Sequence, residues 1–122
     1  MTSTIATVIK TQEELDKIIE LHDAWLMGKP EGVRADLNEY SIFGCDLSHK
    51  NLSGASMDYT MFVNCNLTES VLVSINSDTI RFENCKIDNM DIRGNISTNI
   101  ICTDSDPSSI ITDLGYRRLI IE

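Results

Sequence analysis

An all-β solenoid closed at its N-terminal end by one α-helix is the fold class this sequence predicts. Two observations carry it. Between residues 35 and 102 an apolar side chain returns at almost every fifth position, a period that fits neither a helix (about 3.6) nor a simple strand (about 2). Directly ahead of that array lies one segment with the apolar stripe, start signal and stop signal of a helix. A short fixed period means a stack of like units, each burying its apolar side against the next. The chain of 122 residues accommodates one domain with a small appendage at each end. The expected division is residues 1–34 (strand and capping helix), 35–102 (repeat array) and 103–122 (C-terminal cap).

The elements follow in order. Thr4 to Lys10, with Ile5, Val8 and Ile9, suits a short strand. Thr11 to Met27 is one amphipathic helix. Thr11 can N-cap it, and Glu14 three residues on completes a capping box. Leu15, Ile18, Ile19, His22, Trp25 and Leu26 fall on one face. Gly28 supplies the residue after the helix and Pro30 blocks its continuation. The array then begins. Its fourteen central positions run Leu37, Ile42, Leu47, Leu52, Met57, Phe62, Leu67, Leu72, Ser77, Phe82, Ile87, Ile92, Ser97 and Cys102, and all but the two serines are apolar. Two residues before each stands a second series enriched in small side chains, among them Ala35, Cys45, Ala55, Cys65 and Cys85.

Segments such as Ala35-Asp36-Leu37-Asn38-Glu39, Cys45-Asp46-Leu47-Ser48-His49 and Cys65-Asn66-Leu67-Thr68-Glu69 resemble the A(D/N)Lxx unit of pentapeptide-repeat proteins. The resemblance covers residues 35–102. It implies a right-handed quadrilateral β-helix with four pentapeptides per coil, so about fourteen units make about 3.5 coils. At the strand spacing of a sheet such a stack is about 17 Å tall. Positions twenty apart should then stack, and their side chains are compatible: Cys45, Cys65 and Cys85; Ile42, Phe62, Phe82 and Cys102; Leu47, Leu67 and Ile87; Leu52, Leu72 and Ile92. In the remaining column Ser77 accompanies Ile75 where Met57 accompanies Ala55, an exchange that roughly conserves volume. The helix is expected across the open N-terminal end with Trp25 plugging it, and the coil is expected to fray at Asn95 to Asn99 and beyond. The run Leu21 to Leu26, followed by Arg34-Ala35-Asp36-Leu37, is similar to the opening of small phage and prophage members of the family. Beyond the array, Asp106-Pro107 can start a short helix ending at Gly115. Tyr116 to Ile121 is β-rich and needs a partner: the N-terminal strand, the last coil or a second copy, the last giving a homodimer through this segment.

The net charge of −9 argues against a phosphate-binding chain, because Lys and Arg supply most affinity for nucleic acid. The charge is spread over the whole chain, −2 on residues 1–34, −5 on 35–102 and −2 on 103–122, so no segment is an acidic tail. It suits either solubility or an acidic surface that competes with nucleic acid for a basic groove. The polar start, with no basic region before an apolar run, and the lack of any long apolar stretch point to a cytoplasmic protein outside the membrane. Four cysteines in that setting are not a disulfide framework. Three stacked thiols spread over about 10 Å cannot converge on zinc, which makes them small core residues. His22, on the inner helix face, and His49, at an outward corner, have no adjacent nucleophile. The Asn51-Leu52-Ser53 and Asn66-Leu67-Thr68 matches to the glycosylation pattern carry no weight without secretion, and no glycine-rich phosphate loop is present. No catalytic residue, metal or cofactor is expected.

Two outward features are candidates for binding. Phe43, Met61, Val63, Val71 and Val73 are expected on two adjoining faces around one corner, an apolar contact patch. Asp58 and Asp78 are expected to stack as a two-rung carboxylate column flanked by Asn38 and Thr98. The first suggests a non-enzymatic module for a protein partner. The second suggests an acidic nucleic-acid mimic that inhibits a DNA-binding enzyme. Family members that confer quinolone resistance resemble duplex DNA and bind topoisomerase, which is what the resemblance implies for that alternative, with a host-defence factor as the other target. This chain departs from them in having few coils, no long acidic column and no loop insertion in the array.

Overall fold

A computed structural model describes residues 7–122, so the Thr4 to Ala6 part of the expected first strand lies outside the described residues. Strand β1 (Thr7–Ile9) leads into helix α1 (Gln12–Leu26), and five strands follow: β2 (Tyr40–Phe43), β3 (Thr60–Val63), β4 (Thr79–Glu83), β5 (Asn99–Thr103) and β6 (Leu119–Ile121). They form one parallel six-stranded sheet in chain order. The register from β2 to β5 is twenty residues, as in Ile42↔Phe62, Phe62↔Phe82 and Phe82↔Cys102. Three more ladders of isolated bridges run alongside, through Asp36↔Ser56, through Asp46↔Asn66↔Lys86 and through Asn51↔Val71↔Asp91↔Ile111. The result is a four-faced parallel β-solenoid of about four turns with one N-terminal helix. In chain order the first face holds residues 35–39 and their repeats, the second the sheet, the third 45–49 and the fourth 50–54.

The five-residue grammar has a local cause. At the second position of a unit the side-chain oxygen accepts from the backbone N–H two residues on, in Asp36, Asp46, Asn51, Asn66, Asp91 and Asp106, at 2.9–3.1 Å. Asp and Asn make this turn because their short polar side chains reach that N–H. The corner after the sheet requires positive φ, and the column there is Gly44, Asn64, Asn84 and Asp104 (φ 64°, 55°, 50° and 50°), the residue types that tolerate the left-handed region. Asn84 Nδ2 also donates to Asn64 Oδ1 at 2.6 Å, a side-chain rung over the backbone rung. Inside, Leu37, Ile42, Leu47, Leu52, Met57, Phe62 and Leu67 are fully buried, and Phe62 stacks on Phe82 with centroids 5.3 Å apart. Each such side chain contributes about 1.5–3 kcal/mol through burial.

The first coil would end in unpaired backbone were it not for β1 and α1. Strand β1 pairs with β2, and two helix side chains take over where no strand lies. Gln12 Oε1 accepts from Asp46 N–H (2.7 Å) while its Nε2 donates to Asp46 C=O (2.8 Å), so its amide stands in for a peptide group of the missing rung. His22 Nδ1 accepts from Ala35 N–H (3.0 Å) and its Nε2 faces Ser53 C=O (2.9 Å). The helix starts as expected, with Thr11 as N-cap accepting from Glu14 N–H.

Four expectations are corrected. Leu15, Ile19 and His22 close the coil, while Trp25 stays half-exposed, stacked on His22 at 5.2 Å. The coil does not fray after Asn95. Asn95 is buried, with Oδ1 accepting from Ile75 and Asn76 N–H and Nδ2 donating to Leu72 and Ile92 C=O, and residues 103–121 complete a further coil where a separate cap was expected. The Asp106–Gly115 stretch is a series of turns, including Ile110 N–H to Pro107 C=O at 3.2 Å, and forms no helix. Of the three partners expected for the terminal Leu119-Ile120-Ile121, the structure shows the last coil, through Ile100↔Leu119.

Candidate functional site

Alternation along the sheet sends Ile42, Phe62 and Phe82 inward and their neighbours outward. The outward side chains of the second face form two columns. One runs Val8, Ser41, Met61, Arg81, Ile101 and Ile120, the other Phe43, Val63, Glu83 and Thr103. Phe43, Met61 and Val63 are half-buried and Val8 is 44 % exposed. They form an apolar strip over three successive rungs, β1 to β3, bounded below Phe43 by the exposed Lys10. On the upper side charge begins one rung higher, at Arg81 and Glu83, where Arg81 reaches Glu122 at 3.9 Å. Val8 was missed from sequence because a three-residue strand shows no alternation of its own. Its register against Ser41 is what assigns it to this face.

Val71 and Val73 do not join that strip, which corrects the single corner expected from sequence. Val71 bridges Asn51 and Asp91 on the fourth ladder, and the second and fourth sides of a four-faced coil are opposite, with the third (Asp46, Asn66, Lys86) between them. Both valines are half-buried, and above Val71 lies Asp91, itself buried and paired to Arg93 at 2.7 Å. The hydrogen bonds from the Arg93 guanidinium hold the Asp91 carboxyl below its ordinary value. The fourth face therefore carries an isolated valine pair beside an ion pair.

Asp58 and Asp78 do stack on the first face, but Asp58 is occupied. Its Oδ1 accepts from Asp78 N–H at 2.8 Å, and its own N–H donates to Asn38 Oδ1 at 2.7 Å. Asn38 and Asp58 are one structural ladder in which each side chain satisfies the backbone of the next coil. Asp78 is exposed, accepts from the Thr79 hydroxyl, and its carboxylate beside Tyr59 raises that phenol above its ordinary value. Thr98, expected to flank this column, is buried instead, with its carbonyl accepting from the Tyr116 hydroxyl at 2.6 Å. The cause is a one-residue slip: Asn95 and Thr98 point in, while Ile96 is 70 % exposed and Ser97 also faces out.

The thiols of Cys45, Cys65 and Cys85 form one buried column, donating to backbone carbonyls of the sheet at 3.3–3.4 Å. Contact with Cys85 and then burial hold Cys65 above the ordinary thiol value, burial does the same for Cys45, and Cys102 is pushed up to about 11 by burial. Among the described residues no group of three or more His, Cys, Asp or Glu side chains is placed to hold a metal ion. No helix among them is long and apolar enough to cross a membrane.

These flat faces on a repeating frame define a β-solenoid scaffold. Residues 35–72 match the family model described as Pentapeptide repeats, in 8 copies, and the same register continues through β5. Residues 35–72 therefore carry pentapeptide repeats. No curated protein matches it. Among solved structures it is similar to a trypsin-treated variant of QnrB1, a plasmid-mediated fluoroquinolone resistance protein, at 15% identity and a TM-score of 0.39, over 89% of this chain and 57% of that one. The chain thus spans little more than half the length of that protein.

Proposed function

We propose that this chain is a non-enzymatic protein-binding module and that its contact surface is the second-face strip of Val8, Phe43, Met61 and Val63. The observation that carries this reading is the placement of four partly exposed apolar side chains, with no charge among them, on three rungs of a sheet whose interior is fully packed. Such a surface offers apolar area to a partner without needing to rearrange, which keeps the ordering cost of association low. Val71 and Val73, on the opposite face, are outside this contact.

A second reading, acidic mimicry of nucleic acid, is favoured by Glu39, Asp58 and Asp78 lying together on the first face and its corner, within a chain of net charge −9. It is weakened by the use of the Asp58 carboxylate to hold the Asp78 backbone. The two readings separate by salt and by substitution. Immobilised protein is challenged with host lysate at low and high ionic strength, as wild type, Val63→Asp and the Asp58→Asn/Asp78→Asn double variant. A partner kept at both salts and lost only on Val63→Asp is the expected result. A partner kept only at low salt and lost on the double variant would replace the apolar reading with mimicry.

A further inference from the structure

His22 joins three separate parts of the molecule through one imidazole. It is fully buried on α1, accepts from Ala35 N–H at the entry to the first coil, and meets Ser53 C=O on the fourth face. These two bonds fix its state. A carbonyl only accepts, so Nε2 carries the proton, and Nδ1 must be bare to accept from Ala35. The ring is neutral and has no position left for a second proton.

We propose that His22 makes the helical cap an acid-released closure: adding a proton at Nδ1 removes the Ala35 bond, sets two N–H groups against each other, and frees α1 from the first coil while the rest of the solenoid stays folded. The surroundings do little to accommodate the charge. Asp23, next along α1, favours the cation, whereas Arg34, whose Nε donates to Gly54 C=O at 2.6 Å, opposes it. Where the end of α1 meets the third and fourth faces, His49 and Lys50 line a surface pocket with Asp23, and the Trp25 ring stacks on the imidazole. Burial is the largest influence and holds the imidazole below its ordinary value. The sign follows. A histidine whose folded value is depressed contributes its stability above the unfolded value of about 6.5, and that contribution is lost as pH falls toward and through the folded value. Release uncovers the N-terminal end of the first coil, including the backbone of Asp46 and Ser53 that Gln12 and His22 otherwise satisfy.

The protein carries its own reporter, since its one tryptophan is the ring stacked on His22. Trp25 emission, the His22 imidazole resonances and amide protection of α1 and of β3–β4 are followed from pH 7.5 down to about 5.3, about one unit above the ordinary Glu value. The expected result is that Trp25 emission shifts and α1 protection falls at least tenfold with the same midpoint as His22 protonation, below about 6.5, while β3 and β4 stay protected. In His22→Gln, whose neutral amide keeps one donor and one acceptor, the transition is expected to disappear. The proposal is overturned if His22→Gln shows the same transition, or if β3–β4 protection is lost together with that of α1. Should that variant not fold, the wild type still decides: His22 protonation without change in Trp25 emission or α1 protection also overturns it.

Discussion

Replacing Asn95 by alanine tests the description of the upper coils at its most exacting point. At the regular turn Leu52–Ala55, Ala55 N–H closes on Leu52 C=O at 3.0 Å. One coil higher the equivalent groups are Ile75 N–H and Leu72 C=O, and both turn to the Asn95 amide, at 2.8 and 2.6 Å. Asn76 N–H (2.9 Å) and Ile92 C=O (2.9 Å) use the same side chain. Alanine removes all four bonds at a site only 1 % exposed. At about 1 kcal/mol per neutral bond, with more for each buried group left unpaired, the loss is about 4 kcal/mol. That is a large share of the roughly 5–15 kcal/mol that holds a domain of ordinary stability. Urea unfolding followed by far-UV circular dichroism reads the change as a shift in midpoint at unchanged slope. A loss under about 1 kcal/mol would refute the reasoning, since four buried hydrogen bonds cannot be removed so cheaply. Asn95→Asp adds a check of sign. It keeps an acceptor for the two N–H groups but faces the carbonyls of Leu72 and Ile92 with a carboxylate, so its stability is expected to rise on acidification to about pH 4, where the carboxyl protonates.

Two further outcomes follow from packing. Gly32 lies so close to α1 that an added methyl would overlap the backbone of Ala24 and Trp25, coming within 2.6 Å of Ala24 C; Gly32→Ala is expected to cost about 1–3 kcal/mol in the same unfolding assay, and an unchanged midpoint would contradict the path of the 28–34 loop. The buried, protonated thiols of Cys45, Cys65 and Cys102 should react with a thiol reagent at about pH 8 at least 100-fold more slowly in the native protein than in urea; fast native labelling of Cys65 would show that the column is open to solvent.

Much of the frame was legible because it repeats. The columns of Ile42, Phe62 and Phe82, and of Cys45, Cys65 and Cys85, could be aligned by counting, and the N-cap at Thr11 by its local chemistry. Counting also sufficed to separate Met61 and Val63 from Val71 and Val73, since two pentapeptides along the coil reach the opposite side; grouping them at one corner was an error of geometry. Asn95 was illegible for another reason. Its role is set by carbonyls and N–H groups up to 23 residues away, which no local pattern marks, and a polar residue at a core position looks like the end of a repeat. The same holds for Gln12 and His22, whose partners lie 34, 31 and 13 residues away.

The constant offset between stacked neighbours has a mechanical consequence. Each coil is held only by the coil below and the coil above, so tension along the stack loads one interface at a time. When a coil leaves, about twenty residues become slack, roughly 60 Å of new length at about 3.3 Å per residue less the height of one rung. The body therefore behaves under load as a stepped tether with a nearly uniform stride. Its resistance varies along the axis with what fills each rung, from the stacked rings of Phe62 and Phe82 in the middle to β6, where Ile121 is 67 % exposed and has the least to give up.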